Sequence, residues 1–130
     1  KLAVNFFTHN DVLKISKSLI GKNIFTKINN KITSGMIVET EAYAGTNDKA
    51  SHAYNNKRTN RTKVMYQKGG ICYVYLCYGM HYLMNIVTAQ KEIPHAILIR
   101  AIEPKKGIDI MLKRRNLKAH WHSWRLLLKN

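Results

Sequence analysis

The sequence has few acidic residues, few prolines and few cysteines. Only 7 Asp and Glu stand against 22 Lys and Arg in 130 residues, which gives a formal net charge of +15 with neutral histidines. A small domain with this charge repels itself, so we expect a polyanionic partner, with nucleic acid ahead of an anionic membrane surface. No apolar run approaches the roughly 20 residues of a membrane span, and the first residues lack the pattern of a secretory signal.

The cysteines and prolines are too few for a disulfide scaffold or a linker-rich chain. Cys72 and Cys77 lie five residues apart in a strand-like segment, so they should point to opposite faces and not pair with each other. Two thiols without a CxxC pair fit a reducing compartment, so a cytoplasmic location is expected. With 45% hydrophobic residues and no internal repeat, the length fits one domain with a real core.

Hydrophobic periodicity predicts a mixture of helices and strands. A helix is expected near Asp11–Leu19, capped by Thr8, with a buried stripe of Val12, Ile15 and Leu19. Strands are expected over residues 23–28, 32–43, 71–78 and 96–102, with a turn at 29–30, a polar basic loop over 44–63 and a second helix after Pro104. Because the order shows no clean βαβ alternation, the predicted class is α+β in a single domain.

Two carboxylates in the long strand are candidates for chemistry. Period-2 alternation places Ile37, Glu39, Glu41 and Tyr43 on one face. The Cα atoms of Glu39 and Glu41 should then lie roughly 6.6 Å apart, a spacing that suits an acid and base pair in glycosidic chemistry. The alternative is that one or both carboxylates simply pair with surrounding cations.

Tyrosines and cations are concentrated in the middle of the chain. Tyr73 and Tyr75 share a strand face, and tyrosine faces beside cationic loops stack nucleobases, although a tyrosine-rich sheet core is the alternative. The loop with Arg58, Arg61 and Lys63 is either a solvated surface or a set of phosphate contacts. His120 and His122 flank Trp121 without carboxylate or cysteine company, so no metal site is expected.

Five short motifs occur in one order over about eighty residues. They are VETEAY, D-x-A-S-H, R-T-x-R, YVYLCYGMHYLMN and LIRAIEP. Together they resemble the 3-methyladenine DNA glycosylase family of the alkyladenine type, from about Leu2 to about Arg115. The resemblance implies a mainly antiparallel, curved β-sheet with flanking helices. It also implies a DNA repair enzyme that flips alkylated purines out of duplex DNA and hydrolyses their N-glycosidic bond.

The resemblance assigns roles to the matching residues. Glu41 matches the catalytic carboxylate that activates a water, and Arg100 matches the arginine that helps to hold this water. A single catalytic acid suffices in the family, so Glu39 is expected to be structural. Tyr43, His52 and Tyr75 match the residues that enclose the flipped base. Asn85 matches the residue at the pocket floor that disfavours normal guanine. Tyr78 matches the tyrosine that is wedged into the duplex.

The resemblance also sets the expected partners and boundaries. We expect a monomer acting on double-stranded DNA with alkylated bases, near the nucleoid if the source is bacterial, with no membrane partner, cofactor or metal. Arg58, Arg61 and Lys63 are the expected contacts to the DNA backbone. The glycosylase-like domain is expected over residues 1–118, and the tail over 119–130 departs from the family's pattern. The alternative function is a truncated remnant that binds DNA without hydrolysis, and a generic RNA-binding protein is a third, weaker reading.

Overall fold

A computed structural model describes residues 1–116 of the chain. The fold begins with two short helices, α1 (Val4–Phe7) and α2 (Val12–Leu19), and a third helix, α3 (Ile108–Arg114), follows the last strand. Between them lie five strands: β1 (Asn23–Ile28), β2 (Lys31–Tyr43), β3 (Cys72–Cys77), β4 (His81–Thr88) and β5 (His95–Lys106). The tail beyond residue 116, with His120, Trp121 and His122, lies outside the described residues. None of the helices in residues 1–116 is long and apolar enough to cross a membrane.

The five strands form one antiparallel sheet in the order β1-β2-β5-β4-β3, curled into a half-barrel. This confirms the expected α+β class and the curved antiparallel sheet. The long strand β2 pairs with β1 on one side and with β5 on the other, so β2 and β5 form the middle of the sheet. The β3–β4 hairpin completes the far edge.

Two hydrophobic clusters pack on opposite faces of this sheet. On one face, α2 buries the predicted stripe of Val12, Ile15 and Leu19 against isoleucines of β2 and β5. On the other face, the segment after β2 covers the sheet, with Met65 and Tyr66 packed against Tyr73, Val87 and Ala96. The first cluster anchors the sheet, and the second forms the wall of a pocket.

A register shift in the sheet corrects the predicted faces of β2. Ile37 packs in the helix-side cluster, and Thr40, three residues later, is hydrogen-bonded to Ser16 of α2 at 2.9 Å. In a regular strand these two residues would point to opposite faces, so the predicted grouping of Ile37 with Glu41 is wrong. The irregularity between Ile37 and Thr40 reverses the alternation, after which Glu41 and Tyr43 share the face opposite α2.

Several other local predictions are corrected. Asp11, not Thr8, caps α2: its side chain accepts a hydrogen bond from the Lys14 amide at 2.9 Å, whereas the Thr8 hydroxyl donates to the carbonyl of Asn5. Strand β5 continues through Pro104 to Lys106, because Pro104 lies opposite Gly35 at an irregular part of the ladder. Helix α1 and strand β4 were not predicted. The turn at 29–30 is confirmed, with both asparagines at positive φ.

Candidate active site

The candidate site begins as a row of residues across four strands. Glu41 of β2 lies opposite Leu98 of β5, Leu98 lies opposite Asn85 of β4, and Asn85 lies opposite Tyr73 of β3. Residues that are opposite in a sheet point to the same face. The sheet therefore places the candidate carboxylate and the candidate pocket floor on one surface, although they are 44 residues apart in sequence.

Both carboxylate oxygens of Glu41 accept hydrogen bonds. Arg100 donates to Oε1 at 2.5 Å, and the hydroxyl of Tyr43 donates to Oε2 at 2.7 Å. The Arg100 and Glu41 side chains are 51% and 40% exposed, so solvent reaches the pair. This contact orients a carboxylate that water can approach, and it contributes little to folding stability because exposed ion pairs are weak.

Arg100 lies at a bulge in β5. The neighbouring residues Ile99 and Ala101 have register partners Thr40 and Glu39, while Arg100 between them has none. Regular alternation from Leu98, which lies opposite Glu41, already places Arg100 on the Glu41 face. As the extra residue of the bulge, Arg100 is outside the ladder, and its side chain meets Glu41.

The hydroxyl of Tyr43 stays protonated over the whole physiological range. Burial is the largest cause of its raised pKa, and the hydrogen bond to Glu41 and the negative charge of Glu41 raise the pKa further. A neutral phenol can donate, whereas a phenolate beside a carboxylate could not. Ionisation of the phenol therefore does not remove this hydrogen bond near neutral pH.

Three aromatic side chains form a cage next to this carboxylate. The His52 ring meets the Tyr75 ring edge to face at 4.6 Å, and the Tyr73 and Tyr75 rings lie 5.4 Å apart. Nδ1 of His52 and the hydroxyl of Tyr73 are hydrogen-bonded at 2.8 Å. Burial lowers the pKa of His52, and the charges of Arg61 and Lys57 lower it further, so the imidazole is held neutral near pH 7.

The cage encloses a narrow cavity of about 30 Å3, lined by Tyr43, Ala50, His52, Met65, Tyr73, Tyr75, Asn85 and Ala96. This space holds about one or two waters. Asn85 is 2% exposed, and its side-chain amide donates to the Tyr73 carbonyl at 3.2 Å. The cavity brings together the predicted pocket residues Tyr43, His52, Tyr75 and Asn85.

Tyr78 lies at the tip of the β3–β4 hairpin. Its side chain is 89% exposed, and its φ of 51° together with that of Gly79 at 68° closes the turn between the two strands. Met80, at the same tip, is 69% exposed. The hairpin therefore projects a tyrosine and a methionine into solvent from the edge of the sheet that also carries the cage residues Tyr73 and Tyr75.

The basic loop differs from a plain solvated surface. The guanidinium carbon of Arg58 lies 3.8 Å from the centroid of the Tyr66 ring, and Arg58 also forms an ion pair with Glu92 at 2.8 Å. Arg61 lies over the ring of Tyr75 at 4.7 Å from its centroid. Lys63 is exposed. Two of the three predicted cations are therefore stacked on tyrosines, one of them on the cage.

Glu39 is not among the residues that line the cage cavity. It lines an open groove with residues of α2, such as Leu13 and Lys17, and this groove also reaches Glu41 and Arg100. No group of three or more His, Cys, Asp or Glu side chains within residues 1–116 is arranged to hold a metal ion. Both cysteines are free, as expected from their spacing.

Sequence reasoning missed two members of the site. The Tyr73 side chain, which is the hydrogen-bond partner of His52, was grouped only with the strand tyrosines. The position of Arg61 over Tyr75 was not foreseen either. The shared strand face of Tyr73 and Tyr75 was the available signal for the first, whereas the second depends on how the loop folds back onto β3.

Comparison with known proteins identifies the family. The family model for methylpurine-DNA glycosylase (MPG) matches residues 5–127, so the match runs into the tail, and the boundary at residue 118 stays a prediction. Proteins from Chlamydia felis, Natranaerobius thermophilus and Clostridium acetobutylicum are 55%, 48% and 45% identical over 114, 120 and 130 residues. Their names designate 3-methyladenine DNA glycosylases.

The coverage of these relatives is partial. The matches include 88%, 92% and 100% of this chain but only 59%, 60% and 63% of the relatives, so the chain spans about three fifths of their length. The family match nevertheless includes all of the site residues described above. The chain belongs to the methylpurine-DNA glycosylase family.

Proposed function

We propose that this chain is a monofunctional DNA glycosylase that extrudes an alkylated purine from duplex DNA and hydrolyses its N-glycosidic bond with a water activated by Glu41. One observation carries the proposal. The Glu41 carboxylate is held by Arg100 and Tyr43 beside an aromatic cage whose cavity lining includes Asn85. An oriented carboxylate next to a pocket for a flat ring is what hydrolysis of a flipped nucleotide needs.

The reaction needs one base and no covalent intermediate. Glu41 accepts a proton from water, the water oxygen bonds to C1′ of the deoxyribose, and the bond from C1′ to the purine nitrogen breaks. The electron pair of that bond leaves with the base, which neutralises an alkylated purine cation. Because each Glu41 oxygen has a second lone pair, the hydrogen bonds from Arg100 and Tyr43 leave room for the water. The products are a free base and an abasic site in an uncut strand.

The aromatic cage supports recognition of the damaged base. N3- and N7-alkylated purines are cationic and stack favourably on tyrosine faces, which contributes about 0.5–2 kcal/mol. Tyr43, His52 and Tyr75 would enclose the ring, and Asn85 would clash with the amino group of normal guanine. Because the cavity is now only about 30 Å3, we infer that entry of the base separates the His52 and Tyr75 rings.

Binding to the duplex follows from the hairpin tip and the basic loop. Tyr78 would fill the gap left by the extruded nucleotide, at a cost of a few kcal/mol of unstacking. Lys63, Arg58 and Arg61 would contact phosphates, in keeping with a net charge of +15. We infer a monomer acting on double-stranded DNA that contains alkylated bases, without a cofactor, in the cytoplasm near the nucleoid if the source is bacterial.

Incubation with methylated duplex DNA tests the proposed activity. We expect the purified chain to release free alkylpurines and to leave abasic sites that break only on treatment with alkali. An unmethylated duplex of the same sequence is the control and should release no base. Tight binding to the methylated duplex without release would overturn the enzyme proposal and favour the alternative, a chain that binds DNA without hydrolysis.

A further inference from the structure

Arg61 and Arg58 lie three residues apart in one loop but occupy different environments. Arg58 stacks on Tyr66, outside the cavity lining, and its charge is balanced by Glu92. Arg61 stacks on Tyr75, a cage residue, and the ion pairs among residues 1–116 include none to Arg61. Arg61 thus lies against one wall of the cavity without an ion-pair partner in the described part of the chain.

The loop that carries Arg61 is held in place by its neighbours. Thr62 is 2% exposed, and its hydroxyl donates to the Lys57 carbonyl at 2.9 Å. The Thr59 amide donates to the same Thr62 hydroxyl at 2.9 Å. These contacts close the turn around Arg61, so its position over Tyr75 follows from the conformation of the loop.

Arg61 acts on all three rings of the cage. Burial lowers the pKa of His52, and the charge of Arg61 lowers it further. Burial raises the pKa of Tyr73 and of Tyr75; a hydrogen bond from Arg61 and its charge oppose this rise at Tyr73, and its charge opposes it at Tyr75. The contact with Tyr75 and these electrostatic effects both place the guanidinium of Arg61 at the cage. A contact from Arg61 to a phosphate acts equally on every duplex, and the position of Arg61 beside the cage adds an effect on the base itself.

We propose that Arg61 is a specificity-determining residue, whose guanidinium over Tyr75 disfavours cationic alkylpurines relative to neutral damaged purines such as hypoxanthine. This inference rests on the proposed function, because it concerns a base held in the same cage. A cationic base entering the cage meets the positive charge of Arg61 and competes with it for the tyrosine face, whereas a neutral base meets no such repulsion. The N-glycosidic bond of a cationic purine breaks readily. A site that accepts both cationic and neutral damaged purines therefore needs its binding energy mainly to promote release of the neutral purines.

Equilibrium binding in a Glu41→Gln background separates this effect from chemistry. The probes are three duplexes of one sequence, with 7-methylguanine, hypoxanthine or an undamaged purine at one position. We expect Arg61→Gln to shift the ratio of the two damaged-duplex affinities about fivefold towards 7-methylguanine, the size of a screened charge interaction near a protein surface. Arg61→Lys, which keeps the charge, should retain most of the original ratio. Arg58→Gln is the matched control and should change both affinities by one common factor.

A second measurement does not require DNA. The pKa of His52 can be followed by NMR, with its signal assigned from a His52→Gln variant. It should be higher in Arg61→Gln than in the unsubstituted protein. An unchanged pKa of His52 would place Arg61 away from the cage and overturn the inference. An affinity ratio that Arg61→Gln leaves unchanged, or shifts towards hypoxanthine, would overturn it as well. If the Glu41→Gln protein prefers neither damaged duplex over the undamaged one, the proposed function fails and this inference fails with it. If the protein still prefers damaged over undamaged duplex but Arg61→Gln leaves the ratio of the 7-methylguanine and hypoxanthine affinities unchanged, only this inference is refuted.

Discussion

The hydroxyl of Tyr43 donates a hydrogen bond of 2.7 Å to Oε2 of Glu41, two residues away on the same face of β2. The same tyrosine also lines the cavity. One side chain therefore connects the carboxylate to the pocket that would receive the base. Because the register irregularity before Thr40 turns both residues away from α2, this contact depends on the irregular part of the strand.

Removing only the hydroxyl of Tyr43 tests this connection. Tyr43→Phe should lower the single-turnover rate of base release about tenfold or more, because a hydrogen bond to a charged group is worth about 1.5–3 kcal/mol. Tyr54→Phe is the matched control, since Tyr54 is exposed and lies outside the cavity lining. Equal rates for Tyr43→Phe and the unsubstituted protein would show that the hydrogen bond does not orient Glu41 for the reaction.

Arg100 should matter for catalysis far more than for stability. Its ion pair with Glu41 is about half exposed, so Arg100→Gln should change the free energy of unfolding by about 1 kcal/mol or less. The rate of base release should nevertheless fall clearly, because Glu41 loses the donor to Oε1. Urea unfolding and single-turnover release measure the two effects separately. A large loss of stability with an unchanged rate would assign Arg100 a purely structural role.

Tyr78 should contribute to DNA binding without supporting the fold. Because its side chain is 89% exposed, Tyr78→Ala should leave the melting temperature unchanged and weaken binding to a duplex with an abasic site. Phe25→Ala is a suitable control, because Phe25 is 68% exposed on β1, at the opposite edge of the sheet. Fluorescence anisotropy measures the affinity. An equal loss for the two variants would argue against insertion of Tyr78 into the duplex.

The fold should lose stability in mild acid. Burial lowers the pKa of His52 and His95 in the folded state, so the unfolded chain binds these protons more readily. This loss of folding free energy is absent at pH values above the histidine pKa of the unfolded chain, about 6.5, and it grows as the pH falls below that pKa. His95→Gln should reduce the drop in melting temperature between about pH 7.5 and 5.5, as thermal scans would show. His9→Gln, at an exposed position, serves as the control. An identical pH dependence of the melting temperature in His95→Gln and the unsubstituted protein would contradict this account.

The sequence predicted what depends on local pattern and short motifs. The apolar spacing in α2 and the β-branched and aromatic residues of β1, β2 and β3 determine those elements largely by themselves. The motif match singled out Tyr43, His52, Tyr75 and Asn85, which the sheet register and the loop after β2 bring to one cavity.

The remaining features depend on contacts between distant segments. The irregular register near Ile37 and Arg100 involves both β2 and β5, so alternation along one strand could not reveal it. The stacking of Arg61 on Tyr75 depends on how the loop folds back over β3. Continuation of β5 through Pro104 depends on its partner Gly35. Each of these features affects the position of a side chain of the site or the length of a strand. None of them can be predicted from a local sequence pattern.

The most direct test of the whole account is single-turnover release of an alkylated purine by Glu41→Gln, with duplex affinity measured on the same preparation. Glutamine keeps the size of the side chain but cannot accept the proton of the attacking water. We expect the rate to fall about 100-fold or more while binding to the damaged duplex is nearly unchanged. Release by the glutamine variant at the rate of the unsubstituted protein would contradict the role of Glu41 and the mechanism built on it.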